Sequence, residues 1–215
     1  METTFNAWNV SKYGGPEVLA PVTRAMPTPG AGQILIRIRA SAVSRADGMM
    51  RSGTPRFARL FLGWSRPRAG LSGTCFSGDI IATGEGVTEF SVGDAVFGEA
   101  GMQFGANSTH ICLDASGSVV KKPDSLTYEE AAVMSDGAMT SWHFLTRVAK
   151  VKPGEKVLIL GGSGSLGTAA IQFAVALGAD VTATSSARNR ELLKRLGAAR
   201  IIDSVSYTHL RAHET

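Results

Sequence analysis

The run Lys156-Val157-Leu158-Ile159-Leu160-Gly161-Gly162-Ser163-Gly164-Ser165-Leu166-Gly167 constrains this chain more than any other segment. Val157 to Leu160 is a short apolar stretch of the kind that forms a buried parallel strand. Gly162-x-Gly164-x-x-Gly167 follows at once, and Thr168 to Leu177 then has the composition of a helix. Strand, glycine turn and helix in that order predict a dinucleotide-binding unit. Gly162 is expected to allow the tight turn, Gly164 to admit a pyrophosphate to the backbone, and Gly167 to let helix and strand lie close. The helix start offers unpaired amides and the positive end of its dipole to an anion. Ser163, Ser165 and Leu166 lie between the glycines and complete the expected phosphate cradle. The competing reading is a glycine-rich turn that holds no ligand.

The segment beyond the helix narrows the choice of nucleotide. A second strand is expected over Val181 to Ser185. Sites for NAD carry Asp or Glu about 20 residues past the glycines, where the carboxylate accepts from the ribose 2′-OH. Here the strand ends in Thr184-Ser185-Ser186-Ala187-Arg188-Asn189-Arg190, and the first carboxylate is Glu191. Small hydroxyls and arginines suit a 2′-phosphate, which a carboxylate would repel. Ser185, Ser186 and Arg188 are therefore assigned to NADP(H). A solvated helix start is the plainer alternative for Arg188 and Arg190.

At 215 residues the chain holds one large or two small domains. A hydrophobic content of 44% against 19% charged residues argues against disorder. No apolar run reaches transmembrane length, and Met1-Glu2-Thr3-Thr4 lacks the regions of a secretion signal, so no membrane contact is expected. Cys75 and Cys112 are too few for a disulfide framework or a cysteine-only zinc site, and a reducing cytoplasm is the expected compartment. The net charge of +4 is mild. Arg51, Arg56, Arg59, Arg66 and Arg68 do cluster, interleaved with Phe57, Phe61 and Trp64. That segment, 51–68, reads either as a nucleic-acid or membrane-surface patch, or as a loop and short helix with arginines that are solvated or face an anionic cofactor. The second reading is preferred, and no nucleic acid is expected.

Along the chain the pattern changes once. Residues 1–122 show short strand-like runs punctuated by Gly and Pro: Gln33 to Ala40 at period two, Gly78 to Gly84, Ala95 to Phe97, Ser108 to Leu113 and Ser118 to Val120. From Pro123 the pattern is helical. Thr127-Tyr-Glu-Glu130 has capping-box spacing before a helix over Tyr128 to Met134, and a second helix is expected over Met139 to Ala149. After the glycine unit, Asn189 to Leu196 reads as a helix and Ala199 to Ile202 as a third strand. That makes one β-α-β-α-β half of a doubly wound parallel sheet, without the second half that covers the nicotinamide.

These segments together resemble the medium-chain dehydrogenase/reductases, in their zinc-free, quinone oxidoreductase-like branch. The resemblance rests on Tyr13-Gly-Gly-Pro-Glu-Val-Leu19, Ala42-Val-Ser-Arg-Ala-Asp47, Gly73-Thr-Cys-Phe-Ser-Gly78, the run Gly84 to Gly98, Val151 to Leu158, and Leu196 to Asp203. It covers residues 5 to about 203 in order. It implies an α/β protein with an N-terminal β-rich, GroES-like barrel domain (1–122), then linker helices and an incomplete Rossmann domain (123–204), with the active site in the cleft between. Residues 205–215 match nothing in the family and are expected to be a non-native tail on a C-terminally truncated chain. Such a form would lack activity. The full-length parent is implied to be a homodimer.

The resemblance also places the chemistry. Zinc-dependent relatives have Cys where this chain has Ser44, a His-Glu pair at Thr74-Cys75, and a third ligand near Asp136. Hydroxyls are poor zinc ligands, so no metal is expected, and Cys75 reads as a small buried residue. The implied reaction passes hydride from NADPH to a quinone, enone or carbonyl compound. Ser44 stands where the branch commonly has Asn and is the candidate donor to the substrate oxygen. Asp47 matches a family Asp, or simply caps a short helix starting at Gly48. Thr140 matches a Thr near the nicotinamide, or is a helix Thr bonded back to its own turn. A non-catalytic, crystallin-like NADP(H)-binding protein and a nucleic-acid-binding module on 51–68 are the alternative functions.

Overall fold

The computed structural model describes residues 2–68 and 70–204. The expected ending at 205–215 lies outside the described residues. Within them the chain forms two compact units, one through Ser135 and one from Asp136.

The first unit is antiparallel. A hairpin of β1 (Thr4–Val10) and β2 (Leu19–Ala25) precedes a five-stranded sheet of β3 (Gln33–Ala42), β4 (Cys75–Thr83), β5 (Ala95–Glu99), β6 (His110–Asp114) and β7 (Ser118–Lys121). The sheet order is β6-β3-β4-β5-β7, so β3 and β4 are paired on both sides. Period-two patterning puts Ile34, Ile36, Phe76, Ile80 and Val96 into one core with Ile111, Leu113 and Val119, while Arg37 and Arg39 face water. This is the half-barrel of a GroES-like domain. The hairpin was not legible in the sequence. Its strands lack a strict period-two alternation, and β2 carries Pro21. It is held to the sheet region by Trp8 N to Asn107 O (3.0 Å) and Thr109 N to Asn6 O (2.8 Å).

Between β3 and β4 lie α1 (Arg45–Ser52) and the short α2 (Arg59–Leu62). α1 starts at Arg45 rather than Gly48, because Ser44 is its N-cap: Ser44 Oγ accepts from Ala46 N and Asp47 Oδ2 accepts from Ser44 N. α3 (Tyr128–Met134) begins with the expected capping box, Thr127 N donating to Glu130 Oε2 and Glu130 N to Thr127 Oγ1.

The second unit opens with α4 (Gly137–His143), which passes into a π-helical turn over Phe144–Val148 where a single α-helix to Ala149 was expected. Strands β8 (Lys156–Ile159), β9 (Asp180–Ser185) and β10 (Arg200–Asp203) are parallel in the order β10-β9-β8. Helices α5 (Ser165–Ala176) and α6 (Arg190–Arg195) supply the crossovers. Ile171, Ala174, Val181, Ala183 and Leu193 form its core with Leu145 and Ile159. This is one half of a Rossmann sheet, and among the described residues β8 is its open edge.

Candidate functional site

The glycine turn joins β8 to α5, and the structure redistributes the glycine roles read from the sequence. The backbone reverses at Gly161, whose φ of +69° lies where only glycine is relaxed. Gly162 instead packs inward: a Cβ there would stand 3.0 Å from both Ala183 Cβ and Leu193 Cδ2. Gly164 is the N-cap of α5, and nothing closer than Gly161 O at 3.4 Å would meet its Cβ, so the space in front of it is open to a ligand. Gly167 is the close-approach position. Its Cβ would lie 2.3 Å from Gly161 O and 2.7 Å from Gly162 Cα.

α5 therefore begins at Ser165, one turn earlier than its apolar periodicity suggested. Gly164 provides no side-chain cap, so the amides of Ser165, Leu166 and Gly167 sit in a first turn where an α-helix has no carbonyls to offer them. The first amide taken up is that of Thr168, donating to Gly164 O at 2.9 Å. Three amides at the positive end of a helix dipole make a seat for a phosphate anion. Ser163 is half-buried, and Ser165 and Leu166 are exposed.

Thr184 at the end of β9 fixes this turn, a role with no local signal in its neighbours. Its buried Oγ1 accepts from Gly161 N (3.0 Å) while its carbonyl accepts from Gly162 N (2.7 Å). α4 adds a second support: Ser141 Oγ donates to Leu166 O at 2.8 Å, and Gly137 abuts Ser165, whose Oγ would be 2.3 Å from an added Cβ. Thr140 is the neighbour of Ser141 and half-buried, and its hydroxyl forms no bond back to its own turn.

The expected 2′-phosphate residues divide. Ser185 is buried and donates its hydroxyl to Ser186 O at 3.1 Å, so it shapes the turn rather than facing outward. Ser186 Oγ accepts from Asn189 Nδ2 (3.3 Å), which leaves the hydroxyl proton of Ser186 directed elsewhere. Arg188 and Arg190 are exposed, and Glu191 is paired with Lys194 at 2.9 Å on its own helix. The carboxylate at this level of the sheet is Asp203, in register with Ser185 one strand further out.

In the first unit, Ser44 and Asp47 form the cap described above and line one open cavity with Ser41, Arg51, Ser72 and Asn107. Ser44 Oγ accepts from Ala46 N, so its own proton remains available to donate. Among the described residues, Asp47 Oδ1 is buried without a partner. Thr74 and Cys75 are buried side by side, with Thr74 Oγ1 3.6 Å from Cys75 Sγ. Among the described residues no three His, Cys, Asp or Glu side chains come together as metal ligands.

A second polar cluster straps α3 to the sheet. Tyr128 donates its hydroxyl to Asp79 Oδ1, Arg39 Nε lies 2.8 Å from Asp79 Oδ2, and Ser77 Oγ donates to Tyr128 O at 2.6 Å. Burial pushes the Asp79 carboxyl up, but the bonds from Tyr128 and Arg39 outweigh it and hold the group below its ordinary range. The same bond to Asp79 raises Tyr128. Burial lowers His110 and raises Cys112, and neither belongs to the glycine site.

Known proteins agree with this geometry. Residues 30–150 match the alcohol dehydrogenase GroES-like domain, and residues 127–212 match the alanine dehydrogenase/PNT C-terminal domain. A zinc-type alcohol dehydrogenase-like protein of Schizosaccharomyces pombe is 31% identical over 93% of this chain, which spans 59% of that protein. The quinone oxidoreductase of Coxiella burnetii is 30% identical, with a TM-score of 0.85 over 99% of this chain and 66% of its own. The mycobacterial protein Rv1454c, solved in complex with NADPH, is 33% identical with a TM-score of 0.78, covering 93% of this chain and 58% of its own. By its GroES-like half-barrel, its parallel glycine-turn sheet and these matches, the chain belongs to the medium-chain dehydrogenase/reductase family.

Proposed function

We propose that this chain carries the catalytic-domain and adenosine-side residues of an NADPH-dependent oxidoreductase that reduces a quinone, enone or other carbonyl compound without zinc. The observation that carries the reading is the turn from Gly161 to Gly167, with an open face at Gly164, three uncapped amides at the start of α5, and a close approach at Gly167 that admits no side chain. Those amides bind and orient the pyrophosphate, and Thr184 holds the turn in the shape that presents them. Ser186, positioned by Asn189, donates to the 2′-phosphate, and Arg188 closes over it. A bound nicotinamide would supply the hydride. Ser44 then orients the substrate oxygen with its hydroxyl proton, its backbone held by Asp47, and Thr140 contributes a hydroxyl on the cofactor side.

The donor set favours a reaction without zinc. Ser44 and Thr74 present hydroxyls where a zinc site needs thiolate or imidazole. The chain spans 54–66% of several relatives, so activity is a proposal for the longer protein. A reducing, cytoplasmic setting suits the Cys75 and Cys112 thiols. The test is steady-state oxidation of NADPH by the full-length protein with quinone and enone acceptors. Turnover that falls in Ser44→Ala while NADPH still binds supports the assignment. Tight NADPH binding with no turnover on any acceptor would leave the non-catalytic binding protein instead.

A further inference from the structure

Between Gly48 and Gly78 the sequence holds five arginines and no Asp or Glu. The structure sorts them into two sets. Arg51 Nε donates to Gly14 O at 3.4 Å. Arg59 lies 4.4 Å over the Tyr13 ring and donates to Gly53 O (3.0 Å) and Ser52 O (3.3 Å). Tyr13 in turn donates its hydroxyl to Gly63 O at 2.5 Å, and Leu62 and Pro67 face inward onto a small cavity shared with Val10, Met50 and Phe104. These contacts fasten the segment to the first unit from beneath.

Its outer face is different. Leu60 and Phe61 lie on α2, Phe57 on the 3-10 turn before it (Arg56–Ala58), and Trp64 directly after its C-cap, Gly63. They are 69%, 59%, 70% and 75% exposed. Arg56, Arg66 and Arg68 are exposed around them and enter no ion pair or side-chain hydrogen bond among the described residues. Single exposed apolar residues are ordinary, but four bulky ones in so short a segment mark an interaction surface.

We propose that residues 56–68 dock this protein on an anionic phospholipid bilayer. The four apolar side chains enter the boundary between headgroups and acyl chains, and Arg56, Arg66 and Arg68 meet the lipid phosphates. Charge names the partner. A run of arginines without an acid repels a second copy of itself and attracts a negative surface. Nucleic acid would use the arginines and stack on the rings, but it offers nothing to the aliphatic Leu60. The contact is peripheral, since no helix among the described residues is long and apolar enough to cross a membrane.

Flotation of the full chain with vesicles tests this, using pure phosphatidylcholine against an equal mixture of phosphatidylcholine and phosphatidylserine. Binding is expected to the mixed vesicles only. Phe57→Ser/Phe61→Ser/Trp64→Ser and Arg56→Gln/Arg66→Gln/Arg68→Gln should each weaken it by on the order of a hundredfold, with melting curves like the parent because the side chains are exposed. Independently of those variants, Trp64 emission in a Trp8→Phe/Trp142→Phe background should shift to the blue on the mixed vesicles. Absence of binding, an unshifted Trp64, or full binding by the apolar triple variant would overturn the proposal. So would an arginine-dependent shift of an RNA probe by a protein that leaves the vesicles untouched.

Discussion

Strands β3 and β8 are built from the same kind of apolar residues, and the two regions treat them in opposite ways. In the antiparallel sheet, β3 is flanked by β4 and β6, and Ile34 and Ile36 are fully buried. In the parallel sheet, β8 ends the order, and only Ile159 is buried while Leu158 and Leu160 are 58% and 73% exposed. Phe144, Val148 and Leu166 are exposed beside that edge. Apolar patterning thus tells where a strand forms, but burial is decided by neighbours on both sides. An all-apolar strand is the pattern of a parallel sheet covered on both faces and extended at both edges.

The contrast is open to direct challenge. The largest effect should come from Ile36→Ala, which leaves a cavity in a closed core and should cost about 3–4 kcal/mol by denaturant unfolding. Leu158→Ala, on the open edge, should cost under about 0.5 kcal/mol. Equal costs would mean that the β8 edge is covered in solution.

Gly167→Ala comes next. The added Cβ must push Gly161 O and Gly162 Cα aside, so stability should fall by about 2 kcal/mol and NADPH affinity, followed by fluorescence titration, by more than tenfold. An unchanged affinity would remove the turn from the cofactor site. Thr184→Val keeps the shape but leaves the Gly161 amide without its acceptor, which is worth about 1 kcal/mol. NADPH should bind roughly fivefold more weakly, and Thr184→Ser should restore it.

The smallest effect is electrostatic. Asp79 titrates below its ordinary value when folded, so its contribution is present above about pH 4 and is lost as pH falls through the lowered folded value. Tyr128 is raised, so its contribution holds below about pH 10 and is lost above it. Melting temperature against pH should therefore drop at both limbs, and Asp79→Asn should flatten both. A variant with the parent profile would show that the strap on α3 carries no stability.

Much of this was legible in advance because the signals are local. The capping box at Thr127 and Glu130, the period-two run at Gln33 and the strand–glycine–helix order each depend on neighbours within a few residues. What escaped depends on partners distant in sequence. The β1–β2 hairpin depends on pairing across its turn and to Asn107. Thr184 matters only because β9 ends beside Gly161. Ser185 looked like a ligand-facing hydroxyl by position, and it is turned into the chain by its bond to Ser186 O. The segment 51–68 showed its arginines in the sequence, but only the fold divides those that anchor from those that face outward.

The measurement that bears most directly on the account is a paired titration of this chain with NADPH and NADH, repeated with Arg188→Ala. NADPH should bind at least tenfold more tightly than NADH, a difference of about 1.4 kcal/mol, and the substitution should bring the two together by weakening NADPH alone. Equal affinities in the parent, or a gap that Arg188→Ala leaves unchanged, would contradict the assignment of Ser186 and Arg188 to a 2′-phosphate.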